Sequence, residues 1–167
     1  RFHAEFFLES AWEEMHCCNY LLATDMEMFT VGGYSSTSWS AGYGDYIMRP
    51  DMTTLRLLPW LEGTAMVLCD LFDHHTHAEV PHSPRAILKQ QINRLQAMGL
   101  KSMVATELEF FVFRESFEEL RDKSYRGMTT ISSYNEDYHI FQTTKEEGLM
   151  RQIRNGLQGA GVRVENT

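Results

Sequence analysis

The chain has 167 residues, 43% hydrophobic and 23% charged, with a formal net charge of −8. That balance suits a soluble globular protein of one ordinary domain or two small ones, and it excludes a disordered tail. Acidic charge without a basic patch argues against nucleic acid or an anionic membrane as a partner, and the apolar runs are too short to span a bilayer.

Residues 3–15 set Phe6, Phe7, Trp12 and Met15 among acidic residues, a pattern for a short amphipathic helix, and 18–24 read as a strand. A loop rich in Gly, Ser and Tyr follows from 31 to 44, long enough to be functional. Segments 45–51, 53–60 and 64–72 then read as three successive strands punctuated by Pro50, Pro59 and Gly63. Four histidines, His74, His75, His77 and His82, interrupt the pattern and mark a candidate domain boundary. A polar connector explains them better than a zinc site, which needs a defined scaffold and further ligands. Ser83 before Pro84 makes a helix start, Leu88, Ile92 and Leu95 follow at helical spacing, and Gly99 ends the helix.

Residues 103–113 are the next expected strand. A second helix opens at Thr144, three residues before Glu147 in capping-box spacing, and carries Leu149, Ile153 and Leu157 on one face. Gly159 and Gly161 close it before a last strand that starts in 161–167. The segment 134–141 concentrates polar and aromatic residues and reads as a connector. Cys17, Cys18 and Cys69 form neither a disulfide framework nor a zinc spacing and read as small core residues of a reducing compartment. With no signal pattern at the start, a cytoplasmic location is the default. A first residue other than Met and a strand begun at the end lead to the expectation of a fragment.

Thr106-Glu107-Leu108-Glu109-Phe110-Phe111-Val112-Phe113 carries the chemistry. In a strand, side chains alternate with period two, so Glu107 and Glu109 would share one face. Carboxylates held that close resist joint ionisation unless a cation sits between them, and hard divalent cations are the usual partner of clustered carboxylate oxygens. The alternative is a solvated edge strand, which the aromatic continuation disfavours.

Gly44-Asp45 before Arg49-Pro50-Asp51 and Thr53-Thr54-Leu55, then Cys69-Asp70, Pro84-Arg85, the Glu107/Glu109 segment and Val164-Glu165 together resemble the glutamine synthetase family in order and spacing. The resemblance implies an α+β protein: a β-grasp domain over 1–81, truncated at its N-terminus, then the first helices and strands of a catalytic domain over 82–167, truncated at its C-terminus. It also implies an ATP-dependent ligase that phosphorylates the γ-carboxylate of L-glutamate and joins it to ammonia or an amine, with Mg²⁺ or Mn²⁺. By position in the motif, Glu107 corresponds to a ligand of the cation on the ATP phosphates and Glu109 to a ligand of the cation nearer glutamate. Glu165 matches a nucleotide-contacting glutamate. Asp45 matches an acidic, catalytic position in the β-grasp loops, which in the family complete the active site of a neighbouring subunit in stacked homo-oligomeric rings; a turn-stabilising role for Asp45 or Asp51 stays open.

One departure bears on the nucleophile. Ammonia-using members carry an Asp-Gly-Ser-Ser-like sequence in the β-grasp loop, whereas this chain has no aspartate between Asp25 and Asp45 and offers Tyr34, Trp39 and Tyr43 instead. Aromatic walls cover alkyl carbon and attract ammonium groups, which points to a γ-glutamyl-amine or polyamine ligase subgroup. A loop whose aromatics only pack at an interface is the competing reading. Beside the ligase stand two further classes, a non-catalytic structural or regulatory relative and an unrelated carboxylate-metal hydrolase.

Overall fold

The computed structural model describes residues 1–10, 15–34, 37, 38, 40 and 42–166. The chain divides into two compact units, one formed by 1–57 and 63–102, the other by 58–62 and 103–167. No described helix is long and apolar enough to cross a membrane.

The first unit is built on an antiparallel sheet of order β1-β2-β3, with β1 at Met15–Cys18, β2 at Asp45–Leu57 and β3 at Ala65–Asp73. A short helix α1 (Ala4–Ser10) precedes it, and α2 (Pro84–Ala97) follows it. Met15, expected at the end of the first helix, instead opens β1 and is buried. The strand expected over 18–24 stops at Cys18, because Asn19–Leu22 forms a 3-10 turn. Buried Asn19 fixes that turn: its N–H donates to the Gly44 carbonyl at 2.9 Å and its Oδ1 accepts from Gly44 N–H at 3.3 Å.

The three strands expected over 45–72 are two. Pairing runs from Tyr46↔Asp73 to Asp51↔Leu68, then resumes at Arg56↔Met66, so the expected break after Asp51 is a bulge inside one long strand. Asp51 Oδ1 accepts from Thr53 N–H at 3.1 Å and from the Thr53 hydroxyl at 2.6 Å, while the Thr54 hydroxyl donates to Asp51 O and accepts from Leu68 N–H. The bulge therefore keeps its ladder partners through hydroxyl groups. Pro50, although in the middle strand, lies past the last β1 partner at Met48, so that β1 has no ladder for it to interrupt.

The histidine-rich connector is a turn capped by Asp73, whose Oδ1 accepts from His75 N–H, Thr76 N–H and the Thr76 hydroxyl. Val80 is buried and its N–H returns to the Leu71 carbonyl at 2.9 Å. Ser83 occupies the N-cap of α2 with Pro84 in the first turn, but its side chain makes no capping bond. Gly99, at φ +72°, ends the helix as Leu100 N–H reaches back to Leu95 O. The residue of α2 buried in the unit is Ala86; Leu88 and Ile92 of the apolar stripe stay exposed.

The second unit contains α3 (Phe117–Asp122), α4 (Ile140–Lys145) and α5 (Glu147–Gly159). Residues 103–112 form no strand, and Leu108 and Phe111 are 84% and 82% exposed. The β-rich composition supplies propensity, but a strand needs a ladder partner, and among the described residues the only pairing here is the bridge Phe113↔Thr130. The terminal strand expected over 161–167 is likewise not formed in 161–166. The capping box lies not at Thr144 but at Ser116 and Glu119, where both reciprocal bonds are present. Thr144 is committed elsewhere: its hydroxyl donates to Ile140 O within α4. Glu115 ties this region together by accepting from Thr129 N–H and Lys123 Nζ, which lowers its carboxyl to about 2.

Two glycines of α5 make opposite demands. A Cβ on Gly159 would meet Pro59 Cγ at 2.7 Å, whereas Gly148 has open space. Gly148→Ala is expected to stabilise the chain by about 0.5–1 kcal/mol through helix propensity. Gly159→Ala is expected to destabilise it by about 1 kcal/mol or more, because the overlap with a proline ring outweighs the same propensity gain. Urea unfolding of the two variants checks the opposite signs.

Candidate functional site

Three of the motif residues meet in one ion-pair cluster. Arg85, on the first turn of α2, donates from Nη2 to Asp51 Oδ2 at 2.7 Å and from Nε to Asp70 Oδ1 at 2.9 Å. Lys89, one turn further along, donates to Asp70 Oδ2. Asp51 comes from the bulge of β2 and Asp70 from β3, so one guanidinium joins two strands to a helix. The side chains of Arg85 and Asp51 are 26% and 27% exposed and that of Asp70 16% exposed, partly sheltered from solvent screening. Burial alone would raise the Asp70 carboxyl; the bonds from Lys89 and Arg85 override it and hold it below its ordinary value. Asp51 is also lowered, first by the Thr53 hydroxyl and then by Arg85. The two carboxylates in turn push the guanidinium pKa up. All charges in the cluster are matched, which suits a structural clamp and leaves no group poised for proton transfer.

Asp45 begins β2, is exposed, and faces Cys18 across the ladder. Burial, then the charge of Asp45, raises the Cys17 thiol, and burial, then Asp70, raises that of Cys69. Both sulfurs are thus protonated at neutral pH and are poor nucleophiles.

Glu107, Glu109 and Glu165 lie in the second unit, all exposed and all outside regular elements. The strand geometry that would aim Glu107 and Glu109 from one face is therefore not present. Among the described residues no group of three His, Cys, Asp or Glu side chains is arranged to hold a metal ion. The donor chemistry nonetheless fits a hard divalent cation: carboxylate oxygens, solvent-accessible and not drawn into an ion pair among the described residues, of the kind that holds Mg²⁺ together with substrate phosphates.

The aromatic loop is anchored to the sheet of the first unit. The Tyr34 ring lies 6.0 Å from that of His82, and His82 Nε2 is 3.4 Å from the hydroxyl of buried Tyr46. At the far end of the loop the Tyr43 ring meets Tyr20 edge-on at 6.2 Å. Buried Thr37 donates its N–H to Tyr34 O. Trp39, the third aromatic expected here, falls outside the described residues.

Sequence reasoning marked Asp51, Asp70 and Arg85 but not their mutual contact; it passed over Lys89 and read His82 as part of a polar connector. Lys89 was findable, since a cation four residues after Arg85 shares its helix face. His82 carried no local signal, because its partners are 36 and 48 positions away in sequence.

Comparison with known proteins bears on these residues. Residues 81–167 match the family model described as glutamine synthetase, catalytic domain. The chain is 48% identical over 167 residues to a gamma-glutamylethanolamide synthetase of Streptomyces coelicolor, covering 99% of this chain and 36% of that protein. It is 30% identical over 165 residues to a glutamate–isopropylamine ligase of a Pseudomonas species, covering 98% of this chain and 36% of the relative. A glutamine synthetase of Halobacterium salinarum is 27% identical over 148 residues, which is 82% of this chain and 31% of that protein. The chain thus spans about a third of the length of the relatives it matches.

The clamp makes a pH-dependent contribution to stability. A carboxyl lowered by folding stabilises the native state above its unfolded pKa, about 3.9 for Asp, and that contribution is lost as pH falls through the lower folded value. Asp70→Asn is expected to cost about 1–2 kcal/mol at pH 7, the scale of charged hydrogen bonds discounted for solvent access, and progressively less as pH is lowered below the ordinary carboxylate range towards 2. Asp51→Asn is expected to lower stability less, because Arg85 keeps Asp70. Chemical denaturation across that pH range measures both.

Proposed function

The chain belongs to the glutamine synthetase family, and on that premise we propose that the full-length protein is an ATP-dependent ligase joining the γ-carboxylate of L-glutamate to an amine larger than ammonia. The observation that carries the reading is the 48% identity, along 99% of the chain, with a protein named for making γ-glutamylethanolamide. A glutamate–isopropylamine ligase among the relatives supports the same class of nucleophile. The loop composition agrees: Asp25 and Asp45 bracket a stretch without aspartate, and Tyr34 keeps 39% of its surface exposed. A loop with no aspartate of its own, but with an exposed tyrosine, favours an amine with a carbon body.

Chemically, a γ-carboxylate oxygen of glutamate attacks the γ-phosphorus of ATP and the bond to ADP breaks, giving γ-glutamyl phosphate. The amine nitrogen then attacks the γ-carbonyl carbon, phosphate leaves with the former carboxylate oxygen, and the nitrogen loses a proton. Glu107 and Glu109 would hold Mg²⁺ or Mn²⁺, and Glu165 would contact the nucleotide. Such cations, when bound, neutralise charge on the phosphates during transfer. Asp45, at the head of β2, is proposed to deprotonate or orient the amine.

The same reading takes residues 1–81 as the β-grasp domain and 82–167 as the opening of the catalytic domain, supported by a family match that starts at residue 81. Homo-oligomeric stacked rings with active sites between subunits follow from the resemblance alone. Three free thiols favour the reducing cytoplasm.

Full-length protein assayed with ATP, Mg²⁺ and glutamate is expected to release phosphate with ethanolamine or isopropylamine and far less with ammonia. Release with ammonia alone would sink the larger-amine reading. In the same protein Glu107→Gln and Glu109→Gln are each expected to weaken Mn²⁺ binding about tenfold or more by calorimetry. Unchanged binding in both would remove these glutamates from the metal site.

A further inference from the structure

We propose that His82 is a positioning residue for the amine: its imidazole holds the Tyr34 ring in the orientation that meets the carbon body of the nucleophile. The inference rests on the aromatic-loop reading above. The Tyr34 and His82 rings lie 6.0 Å apart with a 38° tilt, yet Tyr34 stays 39% exposed, so one ring both packs on the protein and faces outward. His82 is fixed from beneath. Its Nε2 is within 3.4 Å of the Tyr46 hydroxyl, the two rings meet at 6.4 Å and 67°, and Tyr46 is 3% exposed in β2. The backbone beside His82 is held as well, since buried Ser83 donates its N–H to Val80 O at 3.1 Å.

Tyr34 is therefore ordered from two directions, through its ring by His82 and through its carbonyl by the N–H of buried Thr37 at 3.4 Å. A ring already held in place loses less conformational freedom when a ligand arrives than one that must first be ordered. The gain applies to a nucleophile with carbon to cover. Ammonia has none, so His82 discriminates among nucleophiles without taking part in bond making.

Steady-state kinetics of the full-length protein, with ATP, glutamate and either ethanolamine, isopropylamine or ammonia, tests this. His82→Ala is expected to raise KM for the favoured substituted amine about tenfold while kcat changes by less than about twofold, the loss corresponding to one aromatic contact. KM for ATP, glutamate and ammonia stays at the parent value. His82→Phe, which keeps a ring to pack against Tyr34, restores most of the affinity. In a Tyr34→Ala background, His82→Ala has no further effect, because the ring it positions is gone.

Three results overturn the proposal: an equal effect of His82→Ala in both backgrounds, a matching rise in KM for ATP and glutamate, or no change where Tyr34→Ala alone raises amine KM. If Tyr34→Ala leaves amine KM at the parent value, the loop reading fails, and the inference with it. Should His82→Ala not fold, Tyr46→Phe removes only the hydroxyl under His82. It is expected to give the same KM shift at smaller size, and parental KM in that variant overturns the proposal.

Discussion

Arg85 stands where β2, β3 and α2 come together, and its guanidinium satisfies one carboxylate from each strand. The first unit has few fully buried apolar side chains among the described residues, with Ile47 the largest at 1% exposure. A small core leaves the helix loosely specified by apolar contact, and the exposed Leu88 and Ile92 show that the apolar stripe of α2 is not what docks it. A guanidinium that donates to two carboxylates adds direction as well as energy, because its planar fork sends its N–H groups out at defined angles. Lys89 fills the second oxygen of Asp70, so neither strand carboxylate is left uncompensated.

The clamp depends on the bulge in β2. Without the extra residues after Asp51 the strand would run on in register, and the carboxylate would not be both capped by Thr53 and offered to Arg85. The same helix start carries Ser83 and, just before it, His82, which reaches Tyr46 and Tyr34. Fixing α2 on the sheet therefore also fixes the imidazole against which the aromatic loop rests. Backbone irregularity, ion pairing and loop position form one chain of cause within the first unit.

Local signals in the sequence translated well where the physics is local. Pro84 after Ser83 and Gly99 bounded α2, and the polar connector around His74 and His75 became a capped turn. Non-local properties did not translate. The alternation in 103–113 has the composition of a strand, but a ladder partner lies elsewhere in a chain or nowhere, and composition cannot say which. Thr144 and Glu147 have the spacing of a capping box, yet Thr144 sits inside α4, where its hydroxyl bonds back to Ile140; Ser116 and Glu119 have the same spacing and use it. The candidate site divides in the same way. Glu107 and Glu109 were legible as residue types, while the contact of Arg85 with Asp51, 34 positions away, is a product of the fold.

The clamp holds α2 on the sheet; the chemistry proposed for the full-length protein is activation of a carboxylate by phosphoryl transfer. Oxygen tracing tests it most directly. With glutamate labelled by oxygen-18 in the γ-carboxylate, ATP and a substituted amine, each turnover through an acyl phosphate must deliver one labelled oxygen to inorganic phosphate. Mass spectrometry of the phosphate is expected to show that single label. Unlabelled phosphate, released in step with amide formation, would contradict the account.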